Sequence, residues 1–461
     1  MKTAALSKYE RLRSLFDYVV FLVYYQTRLT KAFFVVDCLL IALGLVQLLN
    51  GEHAFNTRTI RTAGGLLAIA WPASRLLYGT LKLRRTIKQF RQLGDLKAQK
   101  RLSFPDGNRT VRLLELTPDD RQIQMQFVRE NFGDGAVIRS LVVDNELAFG
   151  SHDWKCAIND VHRHQVRAAI RENREFCLSH ITRMFEQSRA ENIHFINESK
   201  WCLASELQLS ADMIDVHKGR YFDSYCTNEA CTTVLIDNHG NERSGFGLFP
   251  HVINTDGSAN LLDLESAAVN NHAGLSTLVI TSDHQFVVWQ QGSRNIESPR
   301  HIVATASGSG DFGDVDLFSL RRTVKNGMVR ELREEGLRRG VHYSNGAPEG
   351  TAVIGFFRWI ARGGKPEFLG ITRLPIKASE MQPDGREVIH PKDGRSRLKN
   401  TFLLNNIAAL PHVIDQIHAL EDTSVNGGTI LLSLPLRVIL SRLKEMLETD
   451  PKAVETMLFG N

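Results

Sequence analysis

Three glutamates, Glu331, Glu334 and Glu335, stand at i, i+3 and i+4 within the run Val329 to Gly340. On a helix that spacing puts their carboxylates on one face. Three carboxylates converging there repel one another unless a cation or a neighbouring arginine neutralises them. Hard oxygen donors in such a group are what magnesium or manganese takes, usually beside the phosphates of a ligand. Solvated helices also carry acidic runs of this kind, so the elements around the glutamates must carry the rest of the reading.

Those elements are distinct. Ser276 to Asp283 and Phe286 to Gln291 are β-rich runs around Asp283 and His284, a hairpin pattern. A glycine-rich stretch, Thr305 to Asp314, leads into the helix that bears the glutamates. Thr351 to Ile360 follows as another apolar strand, and Leu398 to Leu420 reads as a late helix. Trp289 ends a strand that could line a base pocket, although core packing is its simpler role. Arg358, Arg362 and Lys365 flank the strand after the helix and could meet phosphate, or form a solvated edge.

The order strand, strand, glycine-rich loop, acidic helix, strand resembles the Nudix family. The likeness rests on Arg330, Glu331, Leu332, Arg333, Glu334 and Glu335. The family's box reads Gly, five residues, Glu, seven residues, then Arg-Glu-aliphatic-x-Glu-Glu-x-Gly-aliphatic. The resemblance implies divalent metal on the glutamates against a diphosphate. Two departures weaken the hydrolytic reading. Counted back from Arg330, the family's first Glu falls at Arg322 and its Gly at Asp316, and Gly336 arrives one residue early. Asp314 or Asp316 would have to replace the missing carboxylate.

The first 101 residues have another character. They hold 17 Lys and Arg against 5 Asp and Glu, a net of +12, while the whole chain nets +5 and the remainder therefore −7. Residues 32–49 and 63–81 are apolar runs with one charge each, close to the roughly 20 residues a helix needs to cross hydrocarbon. Basic residues stand before the first run and after the second, with only Arg58 and Arg61 between, which predicts a two-helix transmembrane hairpin with both ends cytosolic. Antiparallel packing would bring Asp37 and Arg75 to similar depth as a charge pair, since an unpaired charge at mid-span costs about 2.5–3.5 kcal/mol. The short apolar stretch Leu15 to Tyr25 reads as an interfacial helix or an extension of the first span. Six scattered cysteines without a C-x-x-C pair signal neither a disulfide framework nor a zinc site, and His162 to His164 reads as a solvated helix face.

The expected fold class is thus an N-terminal transmembrane hairpin followed by a cytosolic α+β region with a Nudix-like mixed sheet flanked by helices. The expected parts are a membrane anchor at 1–101, an α+β connection of unassigned role at 102–215, a Nudix-like domain at 216–420 and a helical segment at 421–461. An anchor joined to a Nudix-like domain resembles the effectors of bacterial anti-phage cyclic-oligonucleotide (CBASS) systems. That resemblance implies a multi-pass protein of the bacterial inner membrane, a cyclic nucleotide or oligonucleotide ligand, a lipid-bilayer partner and a homo-oligomer, with no DNA or RNA polymer. The other reading is a membrane-tethered, magnesium- or manganese-dependent hydrolase of nucleoside diphosphate-linked compounds.

Overall fold

The computed structural model describes residues 8–25, 100–101, 112–113, 128–132, 135–191, 193, 195–236, 242–245, 248–253, 259–292, 300–336, 350–381, 383, 388–389, 400–422, 424–425 and 428–460. Their architecture is α+β with mixed sheets. The helix α1 spans Lys8–Tyr24, and the strands β1 (Val128–Phe132) and β2 (Gly135–Arg139) form a hairpin before α2 (Leu141–Phe149). Next come β3 (Lys155–Ile158), α3 (Asp160–Glu172), α4 (Arg174–Glu191), β4 (Ser199–Leu203) and β5 (Met213–Arg220). In that second sheet β5 lies between β3, parallel to it, and β4, antiparallel.

The principal sheet is built from β6 (Gly274–Ile280), β7 (Gln285–Val287), β8 (Ala306–Ser309), β9 (Thr351–Trp359), β10 (Lys365–Arg373) and β11 (Thr401–Leu403), together with β1 and β2. Its order is β11-β7-β6-β10-β9-β2-β1, and β8 pairs with β6 beside β7. The pairing of β6 with β10 is parallel and the others are antiparallel. Strands β6 and β10 are buried along nearly all of their length, as expected for a central pair covered on both faces. One face packs on α6 (Leu410–His418), α7 (Leu434–Thr449) and α8 (Pro451–Phe459), through Leu278, Ile371, Ile414, Ile439 and Leu443 among others. The opposite face packs on α5 (Leu320–Glu331) and on the second sheet, through Leu275, Phe368, Val324, Met328 and Trp201.

Three expectations are corrected here. Among the described residues no helix is long and apolar enough to cross a membrane, so the transmembrane hairpin is not part of the described architecture. Residues 32–49 and 63–81, with Asp37 and Arg75, lie outside the described residues. One face of the apolar stretch at Leu15 to Tyr25 packs into the protein, while Leu15, Phe16 and Val20 stay exposed. Tyr18, Phe21, Leu22 and Tyr25 are buried against Phe185, Phe195 and Phe222, with the Tyr18 and Phe185 rings stacked at 4.1 Å. The late helix starts only at Leu410, with Pro411 in its first turn, and residues 401–403 form an edge strand instead. Proline has no N–H for an intrahelical bond and crowds the preceding turn, so it suits a helix start and not an interior. The principal sheet draws in β2, which precedes residue 215, through its pairing with β9.

Candidate functional site

Helix α5 carries the glutamates, and its own sequence dictates how. Ser319 caps it by accepting from the Arg322 N–H at 2.8 Å. Leu320, Thr323, Val324, Gly327, Met328 and Glu331 are buried, a stripe at helical period facing the sheet. Glu331 therefore ends the core-facing stripe rather than a solvated one. Burial, with the negative charge of Glu334 added, pushes its carboxyl up to about 7, against the opposing pull of Arg330 and Lys200. After Glu331 the helix widens into a π-helical turn at Leu332–Gly336, a local expansion that recurs at functional positions. The three glutamates separate there. The Glu334 side chain is 60% exposed, whereas the Glu335 carboxylate turns to the sheet and accepts the Ser307 N–H at 2.9 Å.

Arg330 is the hub. Its Nη1 donates to Glu331 at 2.9 Å and to Glu334 at 3.3 Å, so one guanidinium nitrogen bridges two of the three carboxylates. Its Nε and Nη2 fork onto Asp314 at 3.0–3.2 Å, and Nη2 also donates to the Ser309 carbonyl. Burial alone would lower its pKa, but the hydrogen bond to Asp314 and the surrounding carboxylates hold it well above the ordinary arginine value. Asp314 in turn accepts the Asp311 N–H at 2.8 Å, which closes the short turn Phe312–Asp314.

The glycine-rich stretch lets these groups approach. A Cβ on Gly308 would stand 2.2 Å from the Glu331 carboxyl carbon, and one on Gly310 would stand 1.9 Å from Trp201 Nε1. Residues 309–311 then run beside β4, where Trp201 N–H donates to the Gly310 carbonyl and Lys200 donates to Asp311 at 2.6 Å. Lys200 also lies 3.6 Å from Glu198, which pairs at 3.2 Å with Arg13 of α1. An open cleft of about 600 Å³ lies at this junction, lined by Glu198, Lys218, Asp311, Phe312, Asp314 and Arg330 among others.

The remaining candidate residues are placed elsewhere, which corrects their reading as ligand contacts. Arg358 is wholly buried and donates to Glu206 at 2.6 Å and to the carbonyls of Leu262 and Gly364. Arg362 is buried on Glu229, and Lys365 on Glu367 at 3.0 Å. None of the three lines the cleft. A buried cation already matched to a carboxylate has no charge to offer a phosphate without leaving that carboxylate uncompensated. Trp289 packs among Val279, Val303, Leu332 and Met381 in the core. His162 is also buried, with Nε2 on the Val269 carbonyl at 3.1 Å. Burial holds its pKa below the usual value.

Among the described residues no group of three or more His, Cys, Asp or Glu side chains is gathered closely enough to hold a metal ion. Glu331 and Glu334 come together on Arg330 Nη1. Magnesium is commonly held by one or two carboxylates, with water and ligand phosphate completing its shell, and Arg330 Nη1 shows that a positive charge sits between these two. Asp314, Lys200, Lys218 and Phe312 are the site residues that sequence reasoning left unassigned or undecided. For Asp314 a signal exists: Gly308 and Asp314 keep the box's five-residue interval, with eight extra residues between Asp314 and Arg330.

No family model matches the chain. No curated protein matches it. Among solved structures, DR0079 of Deinococcus radiodurans is similar to part of it at 12% identity and a TM-score of 0.23, over 37% of this chain and 82% of that one. A likeness so slight carries no argument about fold or function.

Proposed function

We propose that this chain is a nucleotide-sensing protein whose cleft receives a cyclic nucleotide or oligonucleotide, with Glu331 and Glu334 holding a divalent cation against a ligand phosphate. The observation that carries the reading is the division of the glutamates. Two share one guanidinium nitrogen and the third is taken by a backbone N–H. Two carboxylates suffice to bind a metal-phosphate unit. The missing third ligand favours binding over rapid turnover. A bound metal would neutralise phosphate charge, and Arg330 would withdraw toward Asp314 as it enters.

The test is calorimetry and thermal unfolding of the full chain with cyclic dinucleotides, with and without Mg²⁺, alongside analysis of products. Magnesium-dependent stabilisation without cleavage is expected, with loss of binding in Glu331→Gln and Glu334→Gln. Metal-dependent turnover by the wild type, abolished in the Glu334→Gln, Glu335→Gln double variant, would overturn the sensing reading.

That outcome would favour a second reading, a metal-dependent hydrolase of nucleoside diphosphate-linked compounds. It has one observation of its own. Asp314 keeps the family's interval from Gly308 and pairs with Arg330, although fifteen residues rather than seven separate it from that arginine.

A further inference from the structure

We propose that Lys218 and Phe312 form a second subsite of the same cleft, in which Lys218 takes a ligand phosphate and Phe312 a ligand base. The inference rests on the nucleotide reading above and extends it to a ligand class: nucleotides with two separated phosphates.

Charge accounting in the cleft singles out Lys218. Glu198 is matched by Arg13 and Lys200, Asp311 by Lys200 and Arg330, and Asp314 by Arg330. Lys218 is exposed on β5 and makes no ion pair among the described residues; its ammonium stands 5.2 Å from the centroid of the Phe312 ring. A cation held over an aromatic face remains available to an anion, because the ring quadrupole does not neutralise it.

Phe312 is half-buried, and the neighbouring Gly313 is open: a Cβ there would meet nothing within 4 Å. A base stacks on the ring face that the Lys218 ammonium covers, once a ligand phosphate draws that ammonium away. Stacking on an aromatic side chain suits any base, since every base has a π-face. Arg330, which bonds Glu331 and Glu334, and Lys218 both line one cleft of about 600 Å³. That volume is within the usual range for small-ligand sites. A ligand carrying one phosphate engages one end; a cyclic dinucleotide can engage both.

The experiment is isothermal titration of the full chain with cyclic di-AMP and, separately, inorganic pyrophosphate, each with Mg²⁺. Lys218→Ala and Phe312→Ala are compared with Lys218→Arg and Phe312→Tyr, and unfolding curves check that all four variants fold. For cyclic di-AMP, Lys218→Ala and Phe312→Ala are each expected to weaken binding about ten- to hundredfold, and the conservative variants about threefold or less. For pyrophosphate only Lys218→Ala should matter, because that probe has no base. Wild-type affinity in both alanine variants overturns the subsite and leaves the nucleotide reading intact. Pyrophosphate binding that depends on Lys218, without nucleotide binding, overturns the nucleotide reading and the base contact while retaining the anion contact. No binding of either probe overturns both proposals.

Discussion

Arg330 and Asp314 form a forked ion pair, with Nε and Nη2 of the guanidinium both reaching one carboxylate at 3.0–3.2 Å. The two stand sixteen positions apart, and the pair ties the glycine-rich turn to the end of α5. Asp316, the other candidate for this place, instead caps its own loop through the Phe318 N–H and meets the largely exposed Arg322. Asp314→Ala should therefore cost about 2–4 kcal/mol, because it leaves a partly buried guanidinium short of a partner. Asp316→Asn should cost less than about 1 kcal/mol, because the amide oxygen can still accept the Phe318 N–H and the ion pair reaches a largely exposed arginine. Urea unfolding of both variants checks the ranking, and equal losses would refute the assignment of Asp314 as the structural carboxylate.

Glu331 should make both stability and cation binding depend on pH. Its folded pKa, raised to about 7 from 4.5 by burial first, means that the folded state holds the proton more tightly than the unfolded chain. Its favourable contribution is fully present below about pH 4.5 and is lost as pH rises through about 7, with a ceiling of roughly 3 kcal/mol. Wild type should accordingly lose stability relative to Glu331→Gln between pH 5 and 8. Magnesium binding requires the ionised carboxylate, so affinity should rise with pH up to about 7 and then level off. Unfolding curves and titrations across that range test both slopes, and parallel curves for wild type and Glu331→Gln would contradict the assignment.

Sequence patterns were informative where local chemistry decides structure. Strands β6 and β9 are rich in β-branched and aromatic residues, and α5 announces itself through Leu320, Val324 and Met328, whereas β10, which opens Lys-Pro-Glu, carries no such pattern. Long-range partners were not visible. Arg358 finds Glu206 from 152 positions away and Arg362 finds Glu229 from 133, so basic residues that look available beside a strand are already matched. The apolar face of α1 had two physical solutions, lipid or protein, and hydropathy alone does not separate them. In the site, the glutamates were legible but their division was not. The i, i+3, i+4 argument assumes an unbroken α-helix, and the π-helical turn at Leu332–Gly336 turns Glu335 aside.

Helix α1 is held by its rings, while its charge reaches the cleft. Tyr25 donates to buried Asp223 at 2.9 Å, and Phe21 packs edge-on to Phe222 at 5.4 Å. Phe21→Ala should cost about 3–5 kcal/mol, and Tyr25→Phe about 1–3 kcal/mol by leaving Asp223 short of a donor. Arg13 instead meets Glu198 on the cleft rim with both side chains more than two-fifths exposed. Arg13→Ala should change stability by less than about 1 kcal/mol. It should nevertheless alter ligand affinity at low salt, because Glu198 then competes more strongly for Lys200, and the difference should fade as salt screens the network. Titrations at two ionic strengths test this, and a salt-independent effect would exclude the electrostatic route.

The most discriminating comparison is among the three glutamates themselves. Glu331 and Glu334 flank one cationic nitrogen, and Glu335 faces away onto Ser307. If Glu331 and Glu334 hold the cation, Gln at either position removes a charged ligand and should weaken magnesium-dependent binding by roughly ten- to hundredfold, the loss commonly seen when the groups supporting a metal site are cut back. Glu335→Ala removes an acceptor from a backbone N–H instead. It should cost about 1 kcal/mol of stability and leave cation affinity within about threefold. The two readouts separate the roles, since a folding defect moves the unfolding midpoint and a ligand defect moves the titration. Equal loss of cation binding in Glu335→Ala and Glu334→Gln, with unfolding midpoints unchanged, would mean that all three carboxylates gather on the metal. The π-helical turn would then have to rewind when the cation binds, and the case for binding without turnover would fail with it.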